Sequence, residues 1–113
     1  MKKLIIAAIA AIALVLVSSC NKAPESLDGT TWSTKENEAG WVLTLKFTSD
    51  SDVVMLTTIN DAEDAKGEYD YTYTKGKLTI NDGETEIATA NVYKEDMTLT
   101  KTEGEVKYLL YKK

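Results

Sequence analysis

The chain contains no histidine and no arginine, and only one cysteine and one proline in 113 residues. Without histidine it lacks the side chain that most often serves as a general base near neutral pH, and the commonest metal ligand. Without arginine it lacks the planar fork that grips phosphate or carboxylate through two bonds. All 13 basic residues are lysines, and 18 acids outweigh them to a net charge of −5. Nucleic acid, which needs a basic face, is therefore not an expected partner. No imidazole and no nearby thiol stands ready to activate a Ser or Thr hydroxyl. A chain of this length makes one domain at most. Neither catalysis nor a cofactor is expected.

What is present begins with a leader. Lys2 and Lys3 precede Leu4 to Val17, an unbroken run of fourteen Leu, Ile, Val and Ala residues. A transmembrane helix wants about 20 apolar residues, whereas a signal-peptide core is shorter and follows a positive start. The run ends in Val17-Ser18-Ser19-Cys20, which resembles the lipobox of bacterial lipoproteins. That resemblance implies acylation of Cys20 and cleavage just before it. The alternative is an ordinary thiol beside an ordinary cleavage site. A lone free thiol in an exported protein fits an oxidising compartment poorly. Acyl chains contribute about 0.8 kcal/mol per buried CH₂, and two already hold a protein on a membrane. The expected organisation is a signal peptide over 1–19, a lipidated Cys20 and polar linker over 20–28, and a folded domain over 29–113. Loss of Lys2 and Lys3 with the leader takes the net charge from −5 to −7. The expected location is the cell envelope, lipid-anchored at the outer membrane, with the periplasmic or surface side left open.

From Gly29 onward no stretch has helical periodicity. Thr occurs 15 times and Tyr six times beyond Cys20, and both residues favour strands. Turn signals recur at the spacing of a β-sandwich or barrel. The punctuation predicts strands over Thr30–Glu36, Trp41–Thr48, Asp52–Asn60, Lys66–Thr74, Lys77–Asn81, Glu84–Tyr93, Asp96–Lys101 and Glu105–Lys112. Trp41, Leu43, Leu45 and Phe47 alternate onto one face. Tyr69, Tyr71 and Tyr73 share another, and Val106, Tyr108 and Leu110 a third; the facing of Glu84–Tyr93 is left open. Asp61 to Ala65 reads as an acidic loop, Lys75-Gly76 as a two-residue hairpin, and Asp82-Gly83 as a type I′ turn. Eight strands joined by short loops predict an all-β, antiparallel up-and-down meander. Eight is also the strand number at which a meander closes into a barrel that side chains fill, or that holds one small ligand. A flattened sandwich is the alternative.

Gly29-Thr30-Thr31-Trp32 opens the first strand, and Tyr108-Leu109-Leu110-Tyr111-Lys112 closes the last. With the eight strands between them, these segments resemble the small lipocalin-like lipoproteins of Gram-negative bacteria, abundant in the Bacteroidetes group. The resemblance implies a small barrel that holds an apolar or amphipathic molecule.

Two sets of residues are candidates for function. Trp32, Trp41, Phe47, Tyr69, Tyr71 and Tyr73 would line a pocket, or else would simply fill the barrel. Val53 and Met55, or Leu109 and Tyr111, break the alternation of their strands and would form an outward patch for an envelope protein, or else pack locally. The acids Asp50, Asp52, Asp61, Glu63 and Asp64 show no calcium-loop pattern and read as solvated turns. The expected function is binding of a small apolar molecule. The alternative is a protein-interaction module, an inhibitor or accessory subunit with a packed core.

Overall fold

The computed structural model describes residues 23–113. The segments expected to form a leader and a lipobox, with Cys20, lie outside the described residues. Eight strands follow one another: β1 (Thr31–Ser33), β2 (Trp41–Phe47), β3 (Asp52–Ile59), β4 (Ala62–Thr74), β5 (Lys77–Asp82), β6 (Thr85–Val92), β7 (Asp96–Lys101) and β8 (Lys107–Lys112). Each pairs antiparallel with the next. Trp32 also lies opposite Lys112, and Ser33 opposite Tyr111, so β1 meets β8 and the meander closes into a barrel. Closure is what a small sheet of Thr- and Val-rich strands needs, since it removes two aggregation-prone edges.

Alternation decides which side chains enter the barrel. Leu43, Leu45 and Phe47 of β2 are buried, and so are Tyr71 of β4, Leu78 and Ile80 of β5, Met97 and Leu99 of β7, and Leu110 of β8. β6 turns Ala88, Ala90 and Val92 inward, which settles the facing of that strand. Its two alanines are matched to large neighbours. Ala88 lies opposite Ile80, and Ala90 lies between Leu78 on β5 and Leu99 on β7. Small residues opposite large ones let a narrow barrel fill without overpacking.

Several boundaries differ from those read in the sequence. The first strand contracts to Thr31–Ser33. The acidic loop expected over 61–65 is instead the start of β4. Asn60 and Asp61 both adopt positive φ, 52° and 69°, and Ile59 faces Ala62 across them. That is the two-residue hairpin geometry that matches strand twist, and Asn and Asp tolerate it better than other non-glycine residues. At the next expected type I′ turn the central residues are Gly83 and Glu84, because Asp82 faces Thr85. Only Gly83 has positive φ there, the sign pattern of a type II′ turn with glycine first. Lys75-Gly76 forms the expected hairpin, with positive φ at both residues. Val106, expected inside, is exposed in the loop before β8.

The largest departure concerns the expected linker. Leu27 is fully buried and belongs to the same core as Trp32 and Phe47. Thr30 donates to the Leu27 carbonyl through its backbone N–H at 3.0 Å, and through its hydroxyl. Gly29 N–H donates to the Phe47 carbonyl at 2.8 Å. The packed domain therefore begins before Gly29. The linker residues nearest the barrel are part of its structure.

Candidate functional site at the open end of the barrel

The two ends of the barrel differ. One end gathers the β2–β3, β4–β5 and β6–β7 turns together with the segment entering β1. This end is closed. Leu27 lies in the core there, and the Tyr73 hydroxyl donates to the Pro24 carbonyl. The Tyr71 hydroxyl donates to the Ser49 carbonyl at 2.6 Å. The Trp32 indole N–H donates to the Thr30 hydroxyl at 2.8 Å. Among the described residues every buried side-chain nitrogen and oxygen has a partner, as a sealed interior requires. Burial pushes the Tyr71 hydroxyl above its ordinary pKa of 10.0, and the negative field of Asp28, Asp50 and Asp52 adds to it. Burial likewise raises Tyr73, opposed in part by a hydrogen bond with the Gly76 backbone.

The opposite end gathers the β1–β2, β3–β4, β5–β6 and β7–β8 connections, and it is open. A depression of about 480 Å³ lies there, lined by Met55, Tyr69, Ile87 and Ala88, with Thr85, Glu86 and Lys101–Glu103 at its rim. Three local features build it. First, Gly67 lies beside Met55 on β3 and makes room for Tyr69. A Cβ on Gly67 would fall 2.7 Å from the Tyr69 ring carbon Cζ and 2.8 Å from Cε2. Second, β6 carries a bulge. Ile80 faces Ala88 but Asn81 faces Glu86, so Ile87 has no direct partner on β5. A bulge re-aims the extra side chain, and Ile87 packs half-buried at the mouth. Third, Lys101 lies opposite the buried Ala88 and in phase with the buried Met97 and Leu99, so β7 ends with an ammonium on the inner side of the rim. The result is an apolar seat with one cation and two carboxylates at its edge.

A second depression of about 420 Å³ lies near the same end, between the β1–β2 connection and β8, where Trp41, Leu109 and Tyr111 meet Thr34 and Lys35. Trp41 packs on Tyr108 with ring centroids 5.5 Å apart. The Lys35 ammonium lies 5.2 Å from the centroid of the Tyr111 ring.

The six candidate aromatics therefore do not converge on one pocket. Trp32, Phe47 and Tyr71 are core residues, and Phe47 meets Tyr71 edge to face at 4.9 Å. Tyr73 serves the closed end. Trp41 and Tyr69 remain at the open end. The proposed outward patch divides as well. Val53 is completely buried opposite Phe47, and Met55 faces inward at the mouth opposite Leu45. Neither points outward; Val54 and Leu56 do. Leu109 and Tyr111 are out of phase with the buried Leu110 and lie on the outer wall. Ile87, Ala88 and Lys101 were not among the candidates. Their signal was the alternation Ala88, Ala90, Val92, which leaves Ile87 out of phase. Among the described residues no three metal-binding side chains converge on one point. The chain matches no family model, no curated protein and no solved structure.

Proposed function

We propose that the protein is a membrane-tethered, lipocalin-like lipoprotein that holds a small apolar or amphipathic molecule at the open mouth of its barrel, within the cell envelope. The observation that carries this reading is the depression of about 480 Å³ formed by Met55, Tyr69, Ile87 and Ala88 beneath Lys101. Its volume falls within the range of small-molecule sites, and a mostly apolar seat with few polar groups is their usual composition. The tether runs from Cys20 and enters the barrel at its closed end. The mouth then faces away from the membrane. An anionic amphiphile would place its chain against Ile87 and Met55 and its head group near Lys101.

Isothermal titration with dodecanoate tests the seat. Ile87→Asp should abolish binding by placing a charge in the apolar surface. Lys101→Glu should weaken dodecanoate more than the uncharged dodecanol. Binding unaffected by both substitutions would remove the mouth from consideration. For the tether, Cys20→Ala should release the protein from membranes.

One observation favours a second reading, that of an interaction module. The interior is filled by the protein's own side chains, from Leu27 and Trp32 to Leu110. Ile59, Val106 and Leu109 are exposed around the open end. Under this reading the mouth and its rim dock an envelope protein rather than a small molecule, and dodecanoate does not bind.

A further inference from the structure

β4 extends well past its neighbour on one side. It runs Ala62–Thr74, but β5 pairs only with Asp70–Thr74. Among the described residues, 62–69 are hydrogen-bonded on the β3 side alone. The direction of the remaining backbone groups follows from one bond. Tyr71 N–H donates to the Ser51 carbonyl at 2.9 Å, toward β3. In an antiparallel ladder, successive residues turn their N–H and C=O to opposite sides. Tyr69 and Gly67 thus also face β3, whereas Lys66 and Glu68 face away from it. A bulge at Asp64 interrupts this ladder, because Thr57 faces Ala65 but Thr58 faces Glu63. The regular part of the uncovered edge is therefore 65–69, about 17 Å at roughly 3.3 Å per residue, the length of a short strand.

Charge identifies what fits this edge. It carries Glu63, Asp64 and Glu68 against Lys66, and all four are exposed. On the side where a new strand would lie, the β5–β6 hairpin adds Glu84 and Glu86, also exposed. Two copies of such an edge repel each other, which is how acidic side chains protect an open strand from its own kind. The same charges attract a basic strand. Alternation supplies the rest. The outer face of the edge is Lys66 and Glu68, and the inner face is Gly67 and Tyr69 beside the apolar mouth.

We propose that residues 65–69 accept an extended segment of a partner protein as an added β-strand. Its lysines or arginines reach Glu68 on the outer face and Glu84 and Glu86 of the β5–β6 hairpin, and its intervening apolar side chains lie over Gly67 and the mouth. Main-chain bonds hold such a strand and alternate side chains select it. This site uses backbone edge groups and does not depend on a molecule seated at the mouth.

The test is a titration of the full chain in detergent micelles with an acetylated, amidated peptide alternating lysine and valine. Binding should slow hydrogen exchange of the Lys66 and Glu68 amides at least about tenfold. Glu68→Lys should weaken the peptide roughly tenfold, since a favourable cross-strand pair becomes a repulsive one. N-methylation of one alternate set of peptide nitrogens should abolish binding, while methylation of the other set should spare it. Equal tolerance of both methylated peptides would show general charge attraction and overturn the proposal. So would the absence of peptide binding, or protection of the Lys66 and Glu68 amides in the free protein by a second copy.

Discussion

The Tyr71 hydroxyl reaches 2.6 Å from the Ser49 carbonyl, tying β4 to the β2–β3 turn at the closed end of the barrel. A single hydrogen bond of this kind contributes about 1 kcal/mol net. Tyr71→Phe keeps the ring against Phe47 and removes only the hydroxyl. Urea unfolding should show a loss of about 1 kcal/mol. Tyr93→Phe, at an exposed position, should change stability by a few tenths of a kcal/mol at most. Equal effects of the two substitutions would mean that the Ser49 contact holds nothing.

Alkali should act through the same hydroxyls. Tyr71 and Tyr73 are both raised above 10.0 in the folded protein, chiefly by burial. A group whose folded pKa is raised stabilises the fold fully below its unfolded pKa, and that stability is lost as pH rises through the folded value. Stability should therefore hold up to about pH 10 and fall above it. In the Tyr71→Phe, Tyr73→Phe double variant the same thermal-unfolding series should start lower and decline less above pH 10. A parallel decline in both proteins would assign the alkaline loss to other groups.

Leu27 separates a structural segment from a linker. If residues 23–28 were merely a spacer, Leu27→Ala would be silent. Leu27 is fully buried in the core, so the substitution should cost about 2–5 kcal/mol, the range for a buried Leu→Ala change. Chemical denaturation measures this directly. A cost below about 0.5 kcal/mol, the level of a surface change, would return the segment to the linker.

Gly67 and Tyr69 should behave as a coupled pair. A methyl group at position 67 meets the Tyr69 ring, so Gly67→Ala must swing that ring out of its place at the mouth. The cost should be about 1–3 kcal/mol, as for overpacking elsewhere. In a Tyr69→Ala background the same substitution should cost less, because the obstructing ring is gone. A double-mutant cycle reads the difference, and strict additivity would contradict the close approach.

Much of the architecture was legible because β2, β5 and β7 alternate strictly. Leu43-Thr44-Leu45-Lys46-Phe47 leaves one choice of inner face, and the count of such strands with their turns gives the barrel. The β3–β4 hairpin was hidden by its composition. Asp61-Ala62-Glu63-Asp64-Ala65 reads as a loop by propensity, yet the positive φ of Asn60 and Asp61 closes a tight turn and pairing with β3 forces extension. Strand propensity is a weak guide where a neighbouring strand dictates register. The candidate site was less legible than the fold. Inward aromatics suggest a pocket, but in a closed barrel of this size they become the filling, as Trp32, Phe47 and Tyr71 show. The mouth instead depends on a missing side chain at Gly67 and a bulge at Ile87, which are local irregularities. Leu27 reads as linker in the sequence because one leucine beside Pro24, Glu25 and Ser26 carries no period.

The proposed function places a small molecule at the mouth of the barrel, above a filled interior. Methyl NMR of the protein during titration with dodecanoate tests it most directly. Saturable shifts should appear at the Met55, Ile87 and Ala88 methyl groups, while those of Leu27 and Leu110 stay in place. Saturable shifts centred on Leu27 and Leu110, or no saturable shift at Met55, Ile87 and Ala88, would contradict it.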